Sequence, residues 1–294
     1  MRIAVTGSQG QVVRSLLERV REPDVKIVAL GRPRLELAEP ATIVSAIESA
    51  APDVVVNAAA FTAVDKAETE EALAWKVNGA GAGAVAHAAN LLGVPVIHLS
   101  TDYVFDGGLD RPYREDDPTG PIGAYGRSKL AGEQAVRTAN PRHAILRTAW
   151  VYSPFGANFV RTMLHLAETR AEVGVVADQR GNPTSALDIA DALLRVARRL
   201  VEDSSAAPTG VFHMAGSGEA SWADLAEATF AIAARRGRPR PKVRRIATAD
   251  YPTPARRPAN SRLDTTKFAS VYGVSLPEWT QSLPVCVERL LDGL

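Results

Sequence analysis

Through its first 150 residues the chain alternates short β-branched runs with longer amphipathic stretches, and this alternation limits the fold more than any other feature. Strand-sized runs lie at Ile3 to Val5, Val25 to Leu30, Val54 to Asn57, Val94 to Ser100 and Ala144 to Arg147. Between them, Gln11 to Arg21, Pro40 to Ala50, Thr69 to Leu92 and Tyr125 to Thr138 carry apolar residues at helical spacing. Gly93-Val94-Pro95 reads as a helix stop followed by a strand start. Strands alternating with helices wind a parallel sheet covered on both faces, so the expected class is α/β, a doubly wound parallel Rossmann sheet. After Trp150 the pattern loosens into Pro- and Gly-rich loops such as Asp178 to Pro183 and Tyr251 to Pro258. Asp188 to Val201 again reads as a helix, and Val211 to His213 as a strand able to return to the sheet. The expected division is interleaved: residues 1–150 and 184–214 form the Rossmann domain, and residues 151–183 and 215–294 form a smaller C-terminal substrate domain.

Composition removes several function classes. Lys+Arg number 34 against 33 Asp+Glu, a net charge of +1, so no global field favours nucleic acid or an anionic membrane. Anionic ligands must be bound locally. Seven basic residues fall between Arg235 and Arg245, but Pro239 and Pro241 interrupt them and no aromatic side chain is interleaved. That segment reads as a solvated surface connection. Cys286 is the only cysteine, which excludes an intrachain disulfide and fits a reducing, cytoplasmic setting. His87, His98, His143, His165 and His213 are scattered without metal-ligand spacing, so no catalytic metal is expected. Met1 leads straight into Ile3-Ala4-Val5, with no signal-peptide pattern, and no run approaches the roughly 20 apolar residues of a membrane span.

Thr6-Gly7-Ser8-Gln9-Gly10-Gln11-Val12-Val13 follows the first strand and opens the first helix. Phosphates bind such turns because glycine lets the backbone come close and the helix N-terminus offers unpaired N–H groups. The pattern is G-x-x-G-x-x-V, with Val13 where a third glycine would allow close helix packing. The second strand ends in Leu30-Gly31-Arg32, without the acidic residue that usually takes the adenosine ribose. An arginine there suits a 2′-phosphate, so NADPH is expected in preference to NADH, with Glu36 as an alternative ribose partner.

Tyr125 and Lys129 stand four residues apart, on one face of a helix. A lysine ammonium stabilises a phenolate, which makes the phenol a usable proton donor near neutral pH, and the lysine can also hold the nicotinamide ribose. The preceding strand ends in Ser100-Thr101-Asp102-Tyr103, at the edge where ligands of doubly wound sheets sit. Thr101 can donate to a substrate carbonyl oxygen, stabilising the charge that grows there as hydride arrives, while Tyr125 protonates it.

With these residues placed, the chain resembles the dTDP-4-dehydrorhamnose reductases of the extended short-chain dehydrogenase superfamily, over nearly its whole length. The resemblance rests on Val55 to Glu68 (VVNAAAFTAVDKAE), Ser100 to Gly107 (STDYVFDG), Leu146 to Tyr152 (LRTAWVY), Asp178 to Thr184 (DQRGNPT) and Tyr251 to Pro258 (YPTPARRP). It implies reduction of the C4 keto group of dTDP-4-dehydro-β-L-rhamnose to dTDP-L-rhamnose. Carried over by position, Thr101, Tyr125 and Lys129 form the catalytic set. Gly7, Gly10, Gln11 and Val12 belong to the pyrophosphate turn, Ala60, Phe61 and Thr62 to a second cofactor segment, and Glu36 and Leu37 to another cofactor contact. Thr101, Asp102 and Trp150 match positions that meet the sugar nucleotide, Trp150 offering a flat apolar face. Gly31 stands where some members have an acidic cofactor contact, which puts strict NADH use in doubt. Arg256 or Arg257 can meet the diphosphate. Some members dimerise around a magnesium ion held by acidic side chains near the C-terminus; Glu288 and Asp292 alone do not make that site, so a monomer and a homodimer both stay open.

Two other readings stay open at this point. One keeps the chemistry and changes the substrate to another dTDP-4-keto-6-deoxysugar. The other is a non-catalytic nucleotide-binding subunit, as in the related regulatory subunit of methionine adenosyltransferase.

Overall fold

The computed structural model describes residues 1–203 and 208–293. Six strands form one parallel sheet: β1 (Arg2–Thr6), β2 (Lys26–Leu30), β3 (Val54–Asn57), β4 (Val96–Thr101), β5 (His143–Thr148) and β6 (Gly210–His213). Their spatial order is β2-β1-β3-β4-β5-β6. The order reverses between β1 and β3, which opens a crevice at the carboxyl ends of those strands. The longer helices are α1 (Gln11–Arg19), α2 (Pro40–Ala50), α3 (residues 71–91), α4 (Ala124–Ala139), α5 (Phe159–Ala167), α6 (Ala186–Glu202), α7 (Trp222–Ala234) and α8 (Trp279–Asp292), with short ones at Val64–Ala67 and Thr266–Tyr272.

Strand periodicity sorts the core into two layers. Ile3, Val5, Val54, Val56, Ile97 and Leu99 face one side and pack with Leu16 of α1 and Ile189, Leu193 and Val196 of α6. The intervening Ala4, Val55 and Val96 face the other, against Ile43 and Ile47 of α2, Val85 and Ala89 of α3, and Val136 of α4. Both faces are dry, which is why these strands read as continuous apolar runs. Each fully buried Val or Ile contributes about 1.5–3 kcal/mol, so the sheet is the rigid part from which the loops are hung.

A second core lies outside the sheet. Tyr152, Val160 and Leu225 meet Trp279, Leu283 and Val287 of α8, and Met163, Val173, Val175 and Phe230 form a neighbouring cluster. There residues Lys242–Ile246 pair in parallel with Glu172–Val176. The second half of Arg235 to Arg245 is thus a strand and not the expected connection, while its basic side chains stay exposed as expected. Its cations are taken by carboxylates: Arg244 Nε lies 3.2 Å from Glu172, and Arg245 Nη2 lies 2.9 Å from Glu227. Farther back, Arg236 Nη2 lies 2.9 Å from Asp292.

The single helix expected over Thr69 to Leu92 is also corrected. Glu71–Trp75 and Ala82–Leu91 are α-helical, but Lys76–Gly81 between them is a wider π turn. The extra residue lets Asn78 turn inward, where its Oδ1 accepts the N–H of Phe61 at 2.8 Å and its Nδ2 donates to Ser128 Oγ at 2.9 Å. Among the described residues no helix is long and apolar enough to cross a membrane.

Candidate active site

The glycine turn closes against the end of β2, with the Gly7 N–H donating to the Leu30 carbonyl at 2.7 Å. Gly7 has φ +93°, a conformation that favours glycine. Gly10 needs glycine for neither backbone nor packing: its φ is −66° and a Cβ there would meet nothing within 4 Å. What remains is the approach of an external group. Gly10 caps α1 without a side chain and the first turn of α1 holds no acidic residue, so the helix offers free N–H groups to an anion. A nicotinamide dinucleotide's pyrophosphate fits this cradle.

Val13 is buried against the first core and fills the space that a third glycine would have left. A Cβ at Gly31 would stand 2.5 Å from the Ser8 hydroxyl, which explains why no carboxylate occupies that position. Arg32 is 82% exposed and its Nε lies 3.4 Å from Glu36 Oε2. The two expected ribose contacts therefore meet each other at the rim of the turn. Leu37 is buried in the layer of the sheet core that packs on α2 and α3, so any contact it makes with a ligand runs through its backbone.

Four features position α4. Its first free N–H, that of Ala124, donates to Glu68 Oε1 at 2.8 Å, an acidic cap complementary to the helix dipole. Asn78 ties Phe61 to Ser128, and so joins the Ala60-Phe61-Thr62 segment to the same helix. Glu133, one turn beyond Lys129, accepts Ser100 Oγ at 2.6 Å and lies 2.8 Å from Arg147 Nη2 in a fully buried pair. A Cβ at Gly126 would come within 2.1 Å of the Tyr103 carbonyl, so glycine alone allows α4 to lie this close to the end of β4.

This packing brings Thr101, Asp102, Tyr125 and Lys129 together. Thr101 and Asp102 are buried, Thr101 Oγ1 donates to Asp102 Oδ1 at 2.9 Å, and the Thr101 hydroxyl lies beside the Tyr125 phenol. Burial pushes that phenol up to about 12; the neighbouring Thr101 hydroxyl opposes the rise and the Asp102 charge adds to it. The expected lowering of the phenol by Lys129 is thus corrected, since burial outweighs it, and Tyr125 is held as a protonated acid. Lys129 Nζ donates to the Leu99 carbonyl at 2.6 Å and lies 3.5 Å from His98 Nε2. Burial pushes it down to about 8, against the attraction of Glu133. Burial also lifts Asp102 to about 7, against the pull of nearby Ser261 and of the Thr101 hydroxyl that bonds its Oδ1, and its Oδ2 has no partner.

Trp150 enters from the other side with φ +46°. Its ring stacks on Trp222 at 3.6 Å and 3°, and its Nε1 donates to Ser261 Oγ at 3.2 Å. One of its two faces is therefore covered by Trp222, so the flat face expected to meet a sugar can only be the other one. Arg257 Nη2 lies 2.9 Å from Asp65, whereas Arg256 is exposed and has no ion pair among the described residues. Reading the sequence missed Glu68, Asn78, Ser261 and Trp222. Asn78-Gly79 inside a predicted helix was a usable signal for the π turn; Ser261, distant in sequence, gave none.

The RmlD substrate binding domain family matches residues 1–291. The chain belongs to this family. A Sinorhizobium fredii dTDP-4-dehydrorhamnose reductase is 55% identical over 291 residues, covering 99% of this chain and 98% of that protein. Among solved structures, the Clostridium acetobutylicum dTDP-4-dehydrorhamnose reductase superposes with TM-score 0.91 at 35% identity, covering 99% of this chain and 100% of the other. The Bacillus anthracis reductase, solved in complex with NADP, superposes with TM-score 0.90 at 31% identity, over 100% of this chain and 99% of that one. The RmlD family alignment runs through both cores, so the sheet and the irregular C-terminal part belong to one inherited unit.

Proposed function

We propose that this chain is a dTDP-4-dehydrorhamnose reductase, reducing the C4 keto group of dTDP-4-dehydro-β-L-rhamnose to dTDP-L-rhamnose in the cytoplasm, with NADPH preferred over NADH. The observation that carries the reading is the 55% identity to a relative of that name along almost the entire length of both chains. The cluster of Thr101, Tyr125 and Lys129 at the carboxyl end of β4 supports it, as does the open phosphate cradle at Gly7 and Gly10. The complex of the Bacillus anthracis relative supports NADP as the nucleotide.

When bound, the nicotinamide supplies hydride to the C4 carbon. Gly7, Gly10, Gln11 and Val12 hold its pyrophosphate, Arg32 and Glu36 lie at the adenosine end, and Ala60, Phe61 and Thr62 line the route toward Lys129. Turning its one hydrogen from Asp102 Oδ1 to the substrate, the Thr101 hydroxyl would donate to the carbonyl oxygen, and Tyr125, held protonated, would deliver the proton to that oxygen. Asp102 and Trp150 orient the sugar. In this reading residues 1–150 and 184–214 carry the cofactor and residues 151–183 and 215–294 the sugar nucleotide, with residues 204–207 and 294 outside the described part. The enzyme acts as a monomer or homodimer, which sedimentation distinguishes.

Purified protein mixed with enzymatically generated dTDP-4-dehydro-L-rhamnose should oxidise NADPH faster than NADH, with dTDP-L-rhamnose identified by NMR. A product of opposite C4 configuration, or stoichiometric cofactor binding without turnover, overturns the assignment.

A further inference from the structure

A buried hydrogen-bond chain runs from the strand before the glycine turn to Lys129. Thr6 Oγ1 accepts the N–H groups of Ala58 at 3.1 Å and Ala59 at 3.0 Å, and stands 2.8 Å from Asn57 Oδ1. With both lone pairs engaged, the hydroxyl has only its hydrogen left and donates it to Asn57 Oδ1. The opposite amide orientation would give Thr6 a third donor to accept and leave its hydrogen without an acceptor. Asn57 Nδ2 therefore points to His98 Nδ1, at 3.0 Å, and donates to it. A neutral imidazole that accepts at Nδ1 carries its proton on Nε2, and that atom lies 3.5 Å from Lys129 Nζ. Thr6, Asn57, His98 and Lys129 are all buried, so bulk water does not compete for these bonds.

The imidazole thus turns an N–H toward an amine. An ammonium at that place faces a second donor, whereas a neutral amine can accept it. We propose that His98 is a positioning residue for Lys129, its tautomer fixed through Asn57 and Thr6 so that Nε2–H faces Nζ and disfavours the ammonium. This rests on the reductase reading in giving Lys129 a part in proton delivery. His98 passes no proton itself, because its Nδ1 is already occupied as an acceptor. Burial works in the same direction on the lysine and keeps His98 neutral. The other ionisable groups around Lys129 are Tyr125 and Glu133 on its own helix and Arg147 from β5, which holds Glu133. From the turn after β4, Asp102 acts on Tyr125, and from α3, Glu71 is tied to Arg127 at the surface.

The test uses full-length protein, bound to NADPH and labelled with 15N-histidine, in long-range 1H–15N spectra, with the His98 signal assigned by its loss in His98→Gln. His98 should hold the Nε2–H tautomer without titrating between about pH 5 and 8. An Nδ1–H tautomer, or titration in that window, overturns the proposal in the spectrum of the unaltered protein, the variant serving only to assign the signal. Asn57→Asp replaces the donor facing Nδ1 with an acceptor; it should switch His98 to Nδ1–H and move the basic limb of the kcat profile up by about 1 pH unit. The double variant Asn57→Asp, His98→Gln separates tautomer from added charge: a limb that stays displaced without His98 assigns the shift to charge and refutes the tautomer argument. A merely structural histidine would lower kcat equally at every pH. The spectra need no sugar substrate, so failure of the reductase assignment would show as absent turnover beside an intact tautomer result.

Discussion

The glycine turn after β1 and helix α4 both face the carboxyl end of the sheet, yet they are built in opposite ways. At the turn the groups offered to a ligand are backbone N–H groups, Gly10 borders open space, and Arg32 is 82% exposed. Around α4 the groups are side chains with fixed partners: Ser128 on Asn78, Glu133 between Ser100 and Arg147, and Lys129 between Leu99 and His98. The difference follows from the task. A phosphate is recognised by peptide dipoles that need only room to approach. A proton donor needs desolvated neighbours, because in a low-dielectric interior a misplaced polar group costs far more than at the surface.

Substitutions at the two ends sharpen this contrast. The largest effect is expected for Tyr125→Phe, which should lower kcat by roughly 10²- to 10⁴-fold and leave NADPH affinity within a few-fold, since it removes a proton donor and little surface. Single-turnover kinetics beside fluorescence titration would check both; unchanged kcat would remove Tyr125 as the acid.

Asp102→Asn probes the strain held at the same end. Asp102 stays at about 7 in the fold against about 3.9 unfolded, so between about pH 4 and 7 the folded state keeps a proton that the unfolded chain has released. Stability contributed by this group is present at the acid side and falls as pH rises through that window. The amide removes the slope, and urea unfolding above about pH 8 should show the variant more stable by roughly 2–4 kcal/mol, with weaker sugar-nucleotide binding. Equal stabilities of the two proteins across the pH range would place the ionised carboxylate in a better environment than its missing Oδ2 partner implies.

At the open end the effects are smaller. Gly10→Ala should leave the melting temperature unchanged, because its Cβ meets nothing, while weakening NADPH roughly tenfold, or about 1.4 kcal/mol. A variant that melts early but binds normally would mean that the glycine serves the fold. Arg32→Ala should raise the KM for NADPH only about two- to fivefold and leave that for NADH alone, the worth of one exposed charge contact. Equal effects on both cofactors would detach Arg32 from the 2′-phosphate.

The sheet was legible because its signal is local. Strands β1, β3 and β4 lie within two residues of the apolar runs read from sequence, and β6 returned to the sheet as its short β-branched run suggested. The cluster of Thr101, Tyr125 and Lys129 was legible too, since helical spacing places the last two and a strand end places the first. The covered face of Trp150 was not, because Trp222 lies 72 residues away in the chain and only tertiary packing stacks the two rings. The strand at Lys242–Ile246 was hidden in the same way. Its basic side chains are exposed, as read, and it becomes a strand only when the distant Glu172–Val176 is set beside it.

By itself, then, the sequence determined the order of elements, the phosphate-binding turn and the residue types available for proton transfer, since these depend on periodicity and backbone geometry over a few residues. Tertiary structure decided the protonation setting of those residues: which carbonyl Lys129 meets, that Asp102 keeps a bare oxygen, that Thr101 reaches Tyr125, and which way the Asn57 amide points. The reason is that a buried polar group takes its properties from whatever replaces water around it, and those replacements arrive from strands and loops far apart in the chain.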